Sequence, residues 1–210
     1  MAGETAVSRR ELLKRLGLAG AFALALPELD RVLAFQRDAL KAAAPSRVLG
    51  VAEAGILAAV CARIIPTDET GPGAAEAHAA DYIDRALGGW LAPSREAYTA
   101  GLAAIDDAAT TRYGRRFVDL TASNQDAVLA ALDQTPFFAL VRTHTIQGTF
   151  CDPVYGGNQN FVGWDLIGYP GIRLNVTAAD QRMNARAKPI RRSAYDYAMF
   201  ANTLGAAHAH

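Results

Sequence analysis

Ile56, Leu57, Val60, Cys61, Ile64 and Ile65 repeat at the spacing of one face of an α-helix, and Pro66 stops the pattern. That stripe constrains the fold more than any other feature. Apolar residues at i, i+1, i+4 and i+5 meet on one side of a 3.6-residue helix and must be buried against other elements. The residue before a proline is pushed out of the α region, so the helix ends near Ile65. The same period returns along the chain. Tyr98, Leu102, Ile105 and Ala109 predict a helix that ends near Gly114. Val128, Leu129 and Leu132 predict another, capped by Thr121 or Ser123. Phe137, Leu140, Val141 and His144 predict a further one, opened by Pro136 and closed by Gly148. Between the first two, Ala74 to Leu87 predicts a helix stopped by Gly88 and Gly89. No segment alternates as a half-buried strand does, and an alanine-rich composition favours helix over sheet. The fold class is therefore all-α: an irregular helical bundle followed by a long loop rich in glycine and aromatics.

The amino terminus reads as an address. "SRRELLK" places Arg9 and Arg10 ahead of the apolar run Leu16 to Leu26. That run has the length of a signal-peptide core, short of the roughly 20 apolar residues that cross a bilayer. It resembles a twin-arginine export signal, with Ala23-Leu24-Ala25 as a cleavage site. The competing reading is a cationic amphipathic first helix. The expected organisation is a signal over 1–26, a linker or helix over 27–50, a helical domain over 51–172 and a C-terminal arm over 173–210. Twin-arginine export moves folded proteins, which fits a chain that carries a cofactor or travels with a folded partner. No GxGxxG, Walker loop or CxxC is present. No cofactor, metal or catalytic set is therefore expected in this chain, and a travelling partner is the favoured explanation. The net charge of zero gives no long-range field toward nucleic acid, and membrane association is expected only indirectly.

The helices deliver the chain into "TFCDPVYGGNQNFVGW", Thr149 to Trp164, and then "GYPGI", Gly168 to Ile172. Asp152-Pro153 predicts an extended or turn conformation. Gly156-Gly157 permits positive φ at consecutive positions, Asn158 tolerates the left-handed region, and Pro170-Gly171 predicts a type II turn. Disordered segments are poor in aromatics. The rings of Tyr155, Phe161, Trp164 and Tyr169 must therefore cover the open end of the bundle or meet another protein.

The block Ile64 to Asp84, "IIPTDETGPGAAEAHAADYID", together with Phe137 to Gly171, resembles the gluconate 2-dehydrogenase subunit 3 family. The order of D-P-x-Y-G-G-N, G-W and I-G-Y-P-G carries the likeness, which spans about residues 55–172. The resemblance implies a non-catalytic small subunit of a periplasmic sugar dehydrogenase complex. Its partner would be a large flavoprotein of the glucose–methanol–choline type holding the FAD, with a cytochrome c subunit as a further candidate. The small subunit would supply the export signal and stabilise its partner. On this reading Cys151, Asp152, Pro153, Tyr155, Gly156, Gly157, Asn158, Phe161, Trp164, Tyr169 and Pro170 form the partner interface.

Single residues leave alternatives open. Cys151 has three fates: a disulfide to Cys61, a disulfide to the partner, or a free thiol. Cys61 belongs to a core stripe, which weighs against the internal bridge. An independent exported enzyme would use Cys151, Asp152 and His144, although His144 reads better as a core histidine with a partner. A free-standing sugar-binding module would stack sugars on the loop rings. Asp68, Glu69, Glu76 and Asp81 are candidate metal ligands, but "TDETGPG" lacks the alternating carboxylates of a calcium loop. His208 and His210 read as a frayed tail. Arg173 to Arg192 carries six basic residues against Asp180. This arm is expected to extend across the partner, anchored by Tyr195 to Phe200.

Overall fold

A computed structural model describes residues 47–178, 180–182 and 188–201, all within the unit Ala44–His210. The twin-arginine segment with Arg9 and Arg10, residues 28–41, His208 and His210 lie outside the described residues. The elements are α1 (Val51–Ile64), α2 (Ala79–Leu87), α3 (Arg95–Tyr113), α4 (Ala122–Ala131), α5 (Pro136–Phe150), the short α6 (Val162–Leu166) and α7 (Ala198–Ala201). No strand is present among the described residues, and the fold is all-α. No helix there is long and apolar enough to cross a membrane.

Helix α1 is the hub. It packs against α2, α3, α4 and α5. Ile56, Leu57, Val60 and Cys61 of the predicted stripe are buried in the core they share with Ile83, Leu87, Tyr98, Leu102, Ile105, Val128 and Val141. Fully burying such a side chain is worth about 1.5–3 kcal/mol. One helix with apolar residues at both a- and d-like positions can therefore organise four neighbours. Ile65 leaves the helix with ψ 88°, where Pro66 requires it to.

The ends follow the caps. Thr121 accepts a hydrogen bond from the Asn124 amide and Thr135 from the Phe138 amide, and Pro136 opens α5. Gly114 stops α3 in the left-handed region at φ 66°.

Two boundaries differ from expectation. Helix α2 begins at Ala79, because Ala74–His78 closes as turns with His78 itself left-handed at φ 58°. The Ala79 amide reaches back to the Ala74 carbonyl and the His78 amide to Ala75, so local reversals replace the first helical turn. Helix α5 does not end at Gly148 but runs on to Phe150. There the absent side chain lets α5 lie directly on α2: a Cβ on Gly148 would stand 2.8 Å from the Tyr82 ring and 3.0 Å from Ala79.

A buried carboxylate fixes how the chain enters α1. Asp84 on α2 accepts hydrogen bonds from the amides of Val48 and Leu49, both at 2.9 Å, and is 7 % exposed. Replacement by alanine would strand both amides away from water. Asp84→Ala is expected to lower unfolding free energy by about 2–4 kcal/mol in urea titrations, since hydrogen bonds to a charged group contribute about 1.5–3 kcal/mol each. Val51→Ala, at an exposed position, is expected to change it by less than about 0.5 kcal/mol.

Candidate functional site

The last turn of an α-helix leaves its carbonyls without intrahelical partners. At the end of α5 the following loop supplies them. The Asn158 amide donates to the Gly148 carbonyl at 2.8 Å. The Asn158 side-chain Nδ2 donates to the Cys151 carbonyl at 2.8 Å, and its Oδ1 accepts from the Gly163 amide at 2.8 Å. The Trp164 indole Nε1 donates to the Phe150 carbonyl at 3.0 Å. Asn158 has no exposed surface and sits at φ 45°, which asparagine tolerates better than most residues.

Glycine is required beside it. A Cβ on Gly157 would fall 2.1 Å from the Gly148 oxygen. Gly156 alone of the pair takes positive φ, at 97°. The expected double-glycine reversal is therefore one reversal and one close approach. Asn160 and Phe161 are the other non-glycine left-handed positions of this loop, Gly168 and Gly171 also take positive φ, and the ring of Phe161 packs on Trp164 with centroids 5.2 Å apart.

The type II turn expected at Pro170-Gly171 is not the reversal that forms. The chain turns one step earlier, at the end of α6. The Gly168 amide donates to the Asp165 carbonyl and the Tyr169 amide to Trp164, while the Tyr169 ring packs edge-on to Trp164 at 5.0 Å. This is a Schellman ending with its hydrophobic contact. Pro170 instead offers its carbonyl to the Ile190 amide at 2.7 Å.

The predicted interface residues separate by burial. Gly156, Gly157, Asn158 and Trp164 are inside, Cys151, Asp152, Pro153, Tyr155, Phe161 and Pro170 are half-buried, and Tyr169 is exposed. The buried four shape the surface without presenting a side chain to it. The same face contains residues that the sequence reading did not single out. Tyr82, Trp90, Ile146, Gln147 and Phe150 join Cys151 and Tyr155 around an open groove of about 440 Å³. Trp90 is 51 % exposed, with its ring 6.0 Å from Tyr82 and 5.9 Å from Tyr155. The available signal was Ile146, which lies off the core stripe of α5, and a tryptophan directly after Gly88-Gly89.

The described part of the C-terminal arm does not reach outward. Tyr195, expected as part of an anchor on another chain, shares a 2.7 Å hydrogen bond with the Tyr155 hydroxyl. The Ala194 amide donates to Asp152 Oδ2 at 2.7 Å, Arg191 pairs with Asp165 at 2.6 Å, and the Tyr197 hydroxyl donates to the Ile172 carbonyl. Arg173 pairs with Asp180. The arm folds back because the loop offers it acceptors and acids. Met199 remains 65 % exposed.

The enzyme-like set does not assemble. His144 Nδ1 is hydrogen-bonded to the Tyr98 hydroxyl at 2.9 Å, and the two rings stack. Asp152 is committed to the Val154 and Ala194 amides. Cys151 faces the Gly148 carbonyl. Both cysteines are free, so the internal bridge is not formed. Burial pushes the Cys151 thiol up to about 12, and burial does the same to Cys61, which contacts Thr145. Neither is a thiolate at neutral pH. Asp68 accepts from Thr70 in its turn, and Glu76 accepts from Thr67 and Gly73. Asp81 pairs with His78. Among the described residues no three His, Cys, Asp or Glu side chains group to hold a metal ion.

Fold and loop together define a helical scaffold in which side chains of catalytic type are used for structure. The two sequence blocks singled out above meet in space: α2 packs along α5, and the Gln159 amide donates to the Ala77 carbonyl at 3.2 Å. A family model described as gluconate 2-dehydrogenase subunit 3 matches residues 52–171, more than half of the chain, and the chain belongs to that family. Its members are accessory subunits of a dehydrogenase complex. No curated protein and no solved structure matches the chain.

Asn158→Ala would strand the Cys151 carbonyl and the Gly163 amide and place alanine in a left-handed conformation. The expected loss is about 2–4 kcal/mol of stability, read in urea titrations, with a red shift of Trp164 fluorescence as the indole meets water.

Burial lowers the His144 pKa below its ordinary value. The unfolded chain therefore binds a proton at higher pH than the folded one, and stability is lost as pH falls through about 6.5 toward the folded value. The melting temperature is expected to drop between pH 7.5 and pH 5.5, with a smaller drop in His144→Gln, measured by circular dichroism.

Proposed function

We propose that this chain is the non-catalytic small subunit of a periplasmic FAD-dependent sugar dehydrogenase, and that it carries and stabilises a large flavoprotein of the glucose–methanol–choline type. Electrons from the sugar would leave the flavin for a cytochrome c or a quinone, and the choice of sugar would rest with the partner chain. The observation that carries this reading is the exposed apolar set beside the loop of this subunit family. Trp90, Ile146, Ile167 and Tyr169 are each at least 39 % exposed, while the loop beneath them is closed by its own hydrogen bonds. A surface rigid below and apolar above suits a permanent partner. Export follows from the twin-arginine sequence at Arg9 and Arg10: folded flavoprotein and escort would cross together.

Arg9→Lys combined with Arg10→Lys is expected to leave the flavoprotein's dehydrogenase activity in the cytoplasmic fraction. Undiminished periplasmic activity in that double variant would overturn the escort role.

A covalent link belongs to the same proposal. Cys151 lines the groove. In the oxidising periplasm its thiol and a cysteine of the flavoprotein would give up two protons and two electrons to the thiol oxidants of that compartment. The resulting bridge is expected as a heavier band in non-reducing electrophoresis of the complex. Reductant and Cys151→Ser should each abolish it, and a single light band in every lane would remove the bridge.

A further inference from the structure

The groove between α2 and the end of α5 is lined mainly by aromatic and apolar side chains, and each of the two helices carries an arginine close in sequence to a lining residue. Tyr82 and Trp90 wall one side, Ile146 and Phe150 the other, with Tyr155 across the end. Arg85, on the last turn of α2, lies against the backbone of Gly156: a Cβ there would stand 2.9 Å from its Cζ. Its side chain is half-buried, and among the described residues it has no hydrogen-bonded or acidic partner. Arg142 stands one helical turn before Ile146 on α5, exposed and likewise without an acid. The acids nearby in sequence are occupied. Asp152 receives two backbone amides, Asp81 pairs with His78 and Arg47, and Asp84 holds Val48 and Leu49.

A guanidinium held against loop backbone with no acid of its own chain beside it is an electrostatic arrangement left incomplete in the isolated chain. It becomes favourable when a carboxylate arrives. Tryptophan, tyrosine and arginine around one hollow are also the residue types that concentrate binding energy.

We infer that the groove is the recognition point for a segment of the large flavoprotein that presents a bulky apolar side chain next to a carboxylate. The apolar side chain seats between Trp90 and Ile146, and the carboxylate pairs with Arg85. Arg142, exposed one helical turn before Ile146 on α5, adds a second positive charge whose share is reduced by screening. The inference rests on the proposed function for the identity of the partner. The groove chemistry adds which residues select it and what they select.

The test uses the full chain, tagged and co-produced with a large flavoprotein of the glucose–methanol–choline type from the same source. The readout is flavin absorbance retained per tagged chain after purification. Arg85→Glu and Trp90→Ala are each expected to reduce retained flavin at least tenfold. Arg115→Glu, on the connection after α3, should leave it at the wild-type level. Circular dichroism melts check folding, and Trp90→Ala at an exposed position keeps the result decisive if Arg85→Glu does not fold. Wild-type retention in Trp90→Ala would overturn the groove assignment and leave the proposed function standing. Absence of flavin from the wild-type preparation would overturn both. Acrylamide quenching of the full chain alone separates the remaining occupants: one tryptophan is expected to be accessible and the other, Trp164, shielded. If both are shielded before any partner is present, the chain's own segment or a second copy fills the groove, and the inference falls.

Discussion

The structure depends on how the end of α5 is closed. A helix that stops inside a protein must find donors for its last carbonyls, since burial without hydrogen bonds costs more than any single contact returns. Here one asparagine and one indole supply most of them. Asn158 joins Gly148, Cys151 and Gly163, and Trp164 takes the Phe150 carbonyl. Because Asn158 has no exposed surface, water cannot substitute for these bonds. The loop is consequently a fixed cap, and everything it displays is held in register with α5.

That closure sets what faces outward. With Trp164 turned in, Tyr169 is placed edge-on to it and Phe161 packs tilted against it. Tyr155 is left to bridge between Trp90 on one side and Tyr195 on the other. The returning arm is tied to the same loop through Asp152, Asp165 and Pro170. Rigidity of this kind reduces the ordering cost of association. It suits an accessory subunit whose surface must be ready when its partner folds. The aromatic groove beside Arg85 follows from the same packing, because α2 can approach α5 this closely only where Gly148 has no side chain.

Among the described residues, side chains of catalytic type are committed to structural contacts. His144 is hydrogen-bonded to Tyr98, burial raises the pKa of both thiols, and Asp152 and Asp84 receive backbone amides. Residue types that suggest catalysis in a sequence serve here to satisfy buried polar groups. The family to which the chain belongs is that of an accessory subunit of a dehydrogenase complex.

The sequence by itself determined the helices and most of their ends, because periodicity, proline and capping residues act locally. The stripe from Ile56 to Cys61, the cap at Thr121 and the stop at Gly114 needed no knowledge of neighbours. The family loop was legible as well, through the order of its glycines and rings. Tertiary structure decided the rest, and in each case a contact between separated residues was the reason. Gly148 continues a helix because α2 lies against it, Gly157 is needed for the close approach of the Gly148 carbonyl, and Trp164 points inward because Phe150 has a carbonyl to offer. Only the packing of α2 on α5 could bring Tyr82, Trp90 and Ile146 to one hollow. Local patterns record which face of each helix is apolar, and they carry no record of which faces will meet.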